Sequence, residues 1–598
     1  MRKRKLLSCF LTVTCVITML AGCGNNGNGT GKEEKSASEH EAITINAPYQ
    51  NMDDFIELVH EKYPEINIEV VPYSGQNTTA WMKAMLRSGN LTDIYFSTTY
   101  YADADNVKDK LIDLSGYDFT DNYVQARLRE VTDNNAVYML PLSYSCIGVT
   151  YNKTLLEKNG WTLPKNLKEM EILKGKAEDA GYNFCLDLMQ YPGFGFQYMC
   201  NIMDTGYLST IEGMSWQDDY LNGKANISNT PEMMECMNIL QRWKDIGLLT
   251  AENSSTADTD TRNLYVEGNT LFCVGNTEDL SNEDGVGDEY KLMPYLSEDG
   301  DRNVYITNVN RYVGLNKQLE NSENKQKLED AVHVMELLST EEGMWSLNGS
   351  QKGTALLPLK DAEITSDSYY SEAIDELNVG HTAPFIYAGW ENAIVPIGNK
   401  MLEFISDQAS LQDVINCIDE NQNNVGNSET YAYTTVTETL DVDDCSKLVG
   451  IGLAQAVGAD AALISENEYH KGDPKMNWDG VSGSLFELPV TEQEIVSILP
   501  TGWNNNIETL TLTGKRIKEL AKMGYDRLED GNTYPYALVT KEGTELEDDK
   551  SYTVVVCGVT DAVKEEGNLQ DTGVLGLDAM KSYFEKFDSL SKKDIVWK

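Results

Sequence analysis

The sequence predicts an α/β protein of several domains, and three observations carry that prediction. The chain has 598 residues, and at about 100–200 residues per domain that is room for three or four. Strand-like and helix-like patterns alternate from residue 43 onward, the order that makes βαβ units and a mostly parallel sheet. A second run of the same kind restarts at about residue 428.

Taken in order, Ile43 to Ala47 alternates apolar and polar residues, as a half-buried strand does, and Pro48 ends it. Met52, Phe55, Ile56, Val59 and Tyr63 then fall at helical spacing, with Asn51 or Asp53 available as a cap. Pro64 closes that helix. Ile66, Ile68 and Val70 give a second strand. Thr79 to Ser88 reads as a helix with Gly89 beyond its end, where a left-handed residue is favoured. Asp93 to Ser97 is a third strand. In the later run, Thr430 to Leu440 is rich in Thr, Tyr and Val and reads as a strand. Cys445 to Val457 carries an apolar helical stripe, and Gly458 to Ile464 reads as turn and strand. Trp81, Trp161, Trp243 and Trp345 lie on helical stripes or after turns, where core packing explains them.

Composition excludes several functions. With 95 Asp+Glu against 48 Lys+Arg, the formal charge is −47, and such a surface repels phosphate backbones, so nucleic acid is not the partner. Five His occur, and no two stand at metal-ligand spacing, which argues against a dedicated metal hydrolase. The acidic runs Asp258 to Asp260 and Glu545 to Asp549 lack the spacing of a calcium loop and read as solvated loops. No cofactor or metal site is expected. Outside the first 23 residues the Cys are dispersed without a CxxC pair, and the apolar flanks of Cys146, Cys200, Cys273 and Cys557 favour buried free thiols.

The first residues read as an address. Arg2-Lys3-Arg4-Lys5 is a basic start, and Leu6 to Ala21 is apolar but too short to span a bilayer. Leu20-Ala21-Gly22-Cys23 resembles the lipobox of bacterial lipoproteins. That resemblance implies a signal peptide over 1–22 and a lipid on Cys23, where each buried CH₂ adds about 0.8 kcal/mol to anchoring. Gly, Asn and Ser dominate the following stretch to residue 42, which reads as a flexible tether. The expected location is the outer face of the cell membrane.

Two further resemblances organise the rest. The segment Glu61 to Val71, the block Asn135 to Leu142 running into Gly148 to Lys153, and Leu155 to Trp161 with Pro164 are similar to the carbohydrate-type (family 1) extracellular solute-binding proteins of ABC importers. Tyr265 to Asn269, Phe272 to Asn276, Ala331 to Gly343 and Gly353 to Pro358 continue the likeness in order. It implies the two-lobed periplasmic-binding-protein type II fold over 43–427, with crossings near Val149 to Tyr151 and Ile306 to Asn308. A non-enzymatic role follows: capture of a sugar or oligosaccharide between lobes, and delivery to permease subunits.

From 428 to 598, the helix leading into Gly458-Ala459-Asp460-Ala461-Ala462-Leu463-Ile464 and the segment Leu512-Thr513-Gly514-Lys515-Arg516-Ile517-Lys518-Glu519-Leu520 resemble the α/β C-terminal domain of 5′-nucleotidases. The chain departs from that family at Ser465 to His470, Pro500 to Asn504 and Gln570 to Val574, and it lacks the family's metal-ligand motifs. The alternative that this domain raises is a cell-surface nucleotide- or nucleoside-binding, phosphohydrolase-related protein.

Open α/β sheets bind ligands at the carboxyl ends of their strands. Aromatic rings cover the apolar faces of sugars while polar groups hold the hydroxyls. Candidate ligand contacts are therefore Tyr49 and Gln50 after the first strand, Tyr100 and Tyr101 after the third, Tyr144 before the first crossing, and Arg311 in the second, beside Asn308 and Asn310. The solute-binding likeness adds Asn276, Trp390 and Glu391. Trp503 is a candidate for a second ligand site in the C-terminal domain, and the nucleotidase likeness adds Tyr534 and Tyr536, near the position of a stacking aromatic of that family.

Overall fold

The computed structural model describes residues 40–597 except 48–51, 74–77, 99–106, 134, 188–191, 251–262, 275–279, 283, 349–354, 363–367, 387–389, 391–392, 425–430, 467–479, 482, 500–504, 524, 527–532, 535, 542–543 and 560. Cys23, Tyr49, Gln50, Tyr100, Tyr101, Asn276, Glu391 and Trp503 lie outside the described residues.

The first sheet grows from the alternating segments. Ile43–Ala47 pairs in parallel with Ile68–Pro72 and with Ile94–Ser97. Their inward residues Ile43, Ile45, Ile94 and Phe96 pack beneath Phe55 and Val59 of the helix Asp53–Lys62 and beneath Ala331, Val334 and Met335 of the helix Lys325–Leu338. The first helix starts at Asp53 with Met52 at its cap position and no side-chain cap bond, so Asp53 lies inside the helix, where it and Asp54 complement the positive end of the helix dipole; Asn51 lies outside the described residues. The second helix runs Thr78–Ser88, and Gly89 beyond it has φ +78°.

The first sheet is mostly parallel, as its βαβ order predicts, with Tyr305–Leu315 also parallel to Thr382–Pro384, but antiparallel pairs enter both this sheet and the second. Tyr305–Leu315 enters the first sheet antiparallel to Ile94–Ser97 and antiparallel to Leu140–Ile147. The second sheet, in the order Tyr290–Met293, Val149–Asn152, Thr270–Val274, Asn183–Asp187, holds one parallel pair and two antiparallel ones. The reason is connectivity. Strands that leave one core for the other must return, and a returning strand runs against its neighbour. The helices Pro192–Met203, Pro231–Asp245, Ile394–Ile405 and Leu411–Glu420 cover the second sheet and build the largest core. We call the two bodies the first and second lobes.

A third core belongs to residues 431–597. Its sheet runs Tyr536–Thr540, Ala461–Ser465, Ser551–Cys557, Asn506–Thr513, Gln570–Leu575. The helix Val442–Val457 packs on it, capped reciprocally by Asp441 and Asp444 and closed by Gly458 at φ +68°. Among the described residues of the strand expected over Thr430 to Leu440, only Thr434–Thr435 forms one, paired with Pro489–Val490. β-propensity alone overcalls it, because few of its residues find an edge to pair with. Six of the eight Cys in the described residues are buried, Cys417 and Cys557 are half-buried, and all eight are free thiols. No helix of the described residues is long and apolar enough to cross a membrane.

Candidate functional site

Two strands link the lobes. Along Leu140–Ile147, Leu140 and Leu142 are buried in the first core and Ile147 in the second. Along Tyr305–Leu315, Ile306 lies in the second core while Val313 and Leu315 lie in the first. Between those anchors Asn308 is exposed and Val309 to Tyr312 are half-buried. This strand is dry at both ends and open to water in its middle, where it passes from one core to the other. Gly148 makes the exit sharp: a Cβ there would stand 2.2 Å from the Met293 carbonyl oxygen.

The wet middle is polar and irregular. The pairing register shifts between Val309 and Arg311 and again between Arg311 and Tyr312, bulges that re-aim side chains. Ser145 Oγ donates to Asn310 Oδ1 at 3.0 Å, and Arg311 Nη1 donates to the Asn310 carbonyl at 2.7 Å. Ser143 pairs opposite Arg311; it is fully buried, and its hydroxyl has no hydrogen-bond partner. Hydroxyl, amide and guanidinium groups on one short stretch can hold a polyhydroxylated solute. Of the expected residues, Arg311 stands on this half-buried stretch. Sequence reasoning missed the half-buried Ser145, although its alternation with Tyr144 was a readable signal; Ser143, fully buried, backs the strand rather than meeting solvent.

Tyr144 is corrected from a cleft contact to a packing residue. It is 5% exposed and its backbone exchanges two 2.9 Å hydrogen bonds with Leu356. The guanidinium of Arg127 sits 5.1 Å from its ring centroid. Arg127 is itself 1% exposed; its Nη2 donates to Thr382 Oγ1 at 2.8 Å and its Nη1 pairs with Glu130 at 2.8 Å. Burial pushes the Tyr144 phenol upward, and Arg127 opposes that rise. Burial also raises the Glu130 carboxyl, against the pull of Arg127 and a hydrogen bond from Thr307. Tyr144 and Arg127 thus hold the strand pair from behind.

Trp390 is corrected likewise. It is 0% exposed, donates from Nε1 to Tyr220 Oη at 2.8 Å, and stands edge-on to Phe196 and Tyr220. No face is open to stack on a sugar. Its loop-like sequence surroundings concealed a side chain that folds back between helices. In the C-terminal body, Tyr536 is 3% exposed inside an apolar cluster and offers no platform. Tyr534 lies in the short strand Thr533–Tyr534, paired with Tyr525–Asp526.

Two more features lie in the second lobe. Asp204 opens a π-helical turn, is fully buried, and accepts from Ile386 N at 3.0 Å through Oδ2, while Oδ1 has no partner. Burial holds its carboxyl well above the usual carboxylate range. A cavity of about 370 Å³ has Tyr207, Cys236, Trp243 and Tyr295 in its lining and carboxylates such as Glu232 and Glu298 beside them. All its lining residues belong to the second lobe, so it is separate from the crossing strands. Among the described residues no group of three or more His, Cys, Asp and Glu is placed to hold a metal.

Comparison with known proteins agrees with this geometry. Residues 54–328 match the family model of bacterial extracellular solute-binding proteins. No curated protein matches the chain. Among solved structures, the solute-binding protein RafE in complex with raffinose is 14% identical, with TM-score 0.51 over 65% of this chain and 100% of its own. An open conformation of the putative binding protein MsmE from Bacillus subtilis subsp. subtilis str. 168 is 13% identical, with TM-score 0.54 over 66% of this chain and 100% of its own. A family 1 extracellular solute-binding protein from Bifidobacterium longum subsp. infantis is 16% identical, with TM-score 0.51 over 64% and 99%. The fold over about two-thirds of the chain is therefore that of the solute-binding proteins.

Proposed function

We propose that this protein captures a sugar or oligosaccharide between its two lobes and delivers it to the permease subunits of an ABC importer. The observation that carries the reading is the pair of strands anchored in two separate cores with a polar, solvent-facing middle at Asn308 to Tyr312. Such proteins work by hinge closure around solute, which buries it and creates the surface that a partner reads. The raffinose complex named for a structural neighbour supports a saccharide over other polar solutes. The lipobox-like ending at Cys23 supports an anchor on the outer face of the membrane.

For residues 428–598 we propose a 5′-nucleotidase C-terminal-like domain without catalysis. The helix Val442–Val457 leading into the buried strand Ala461–Ser465 supports that assignment.

The test is a thermal-shift screen of residues 24–598 against mono- and oligosaccharides and nucleosides. Binding to the native state raises the melting temperature by mass action. The expected result is a shift with a saccharide that Arg311→Ala and Asn308→Ala both diminish. A shift with nucleosides alone, or a saccharide shift indifferent to both substitutions, overturns the reading.

A further inference from the structure

Chain order and packing disagree in one place. The C-terminal body follows the second-lobe helix Leu411–Glu420, yet it packs on the first lobe. Its helix Glu492–Ile498 lies against the first-lobe helix Thr78–Ser88. Phe486 and Leu488 from the C-terminal side share one apolar cluster with Tyr73, Trp81, Met82 and Met85 from the first lobe. Tyr73 stacks on Trp81 with centroids 4.8 Å apart, and its hydroxyl donates to the Ser497 carbonyl at 2.8 Å. Gly483 brings backbone onto the same ring: it has φ +71°, and a Cβ would meet Tyr73 at 2.8 Å.

An ion pair crosses the seam. Arg87 Nη1 donates to Glu494 Oε1, with side-chain exposures of 21% and 1%. The other Glu494 oxygen accepts from Thr491 N at 2.8 Å and closes the cap of its own helix. A carboxylate this deeply buried is tolerated only with its partner in place, since removing one member leaves an uncompensated charge. A domain swinging free on a tether would expose Glu494 and the apolar faces of Phe486 and Trp81 to water at each excursion.

We propose that the Tyr73–Trp81–Arg87 face of the first lobe is a permanent docking surface for this chain's own C-terminal domain, so that the two form one rigid body. On the two-lobed reading above, the second lobe is then the part that moves when solute binds. The C-terminal domain rides with the first lobe even though the chain joins it to the second.

The experiment uses the full chain from residue 24, with residues 425–430 replaced by a protease recognition sequence. After cleavage the two pieces are run on a sizing column without solute, so the outcome is independent of the saccharide reading. The expected result is co-elution at the position of the uncut chain. Arg87→Ala, whose folding is checked by circular dichroism before cleavage, weakens retention of the C-terminal piece by roughly a hundredfold. Tyr73→Phe, a milder change, weakens it less. Separation of the unsubstituted pieces into two species overturns the proposal. Unchanged retention in a folded Arg87→Ala protein overturns the assignment of this surface.

Discussion

Replacing Trp390 separates a packing residue from a ligand contact. The indole is 0% exposed and its Nε1 donates to Tyr220 Oη. Trp390→Ala removes a large fully buried ring and costs about 3–5 kcal/mol, the range for such truncations in a core. Trp390→Phe keeps most of the volume and loses one hydrogen bond, worth about 0.5–1.5 kcal/mol. The bond's loss does not strand Tyr220, whose hydroxyl also donates to the Ile418 carbonyl at 3.2 Å. Adding part of a cavity term gives about 1–2 kcal/mol for Trp390→Phe. With a urea slope of about 3 kcal/mol/M, the second-lobe transition moves down by roughly 0.3–0.7 M. The assay follows urea unfolding by near-ultraviolet circular dichroism, alongside saccharide thermal shifts of the folded variant. The reasoning is refuted if Trp390→Phe leaves the urea midpoint in place while abolishing the saccharide shift, for then the ring faces solute.

Other consequences can be checked together. Gly148→Ala drives a Cβ against the Met293 carbonyl oxygen at the crossing; a loss of about 1–3 kcal/mol in a denaturant titration is expected, and a neutral result would contradict the close approach. Asp204 binds its proton more tightly folded than unfolded, because burial raises its carboxyl. Its contribution is therefore fully present below the ordinary carboxylate range and is lost as pH rises toward the raised folded value. Melting temperatures of Asp204→Asn should fall less between pH 4 and pH 8 than those of the parent, and parallel curves would argue against the assignment. Native-state alkylation should label the half-buried Cys417 and Cys557 before the other six thiols, since burial raises both Cys236 and Cys445 to about 12. Early labelling of Cys236 would show that the second-lobe cavity opens.

How far the sequence could be read varied with the range of the physics involved. Ile43–Ala47 forms the strand its alternation predicts, and the helix at Thr78–Ser88 ends where Gly89 supplies a left-handed residue. These are local matters, settled by side-chain period and backbone freedom. The site was less legible. Arg311 lies in the crossing strand where its place in the sequence put it. Ser145 was overlooked because a small hydroxyl carries no signal until the facing strand shows its register. Trp390 and Tyr144 misled, because the sequence around an aromatic does not say which way the ring turns.

The sequence by itself therefore determined the α/β class, the surplus of negative charge, the order of strands and helices, and the thiols set in apolar surroundings. These follow from composition and short-range pattern. Only the tertiary structure decided that the sheets are mixed, that Trp390 fills a core, and that the C-terminal domain docks on the first lobe through Tyr73, Arg87 and Glu494. Those outcomes depend on surfaces hundreds of residues apart in the chain, and a half-buried ion pair 407 positions wide leaves no periodic trace in either segment that contributes to it.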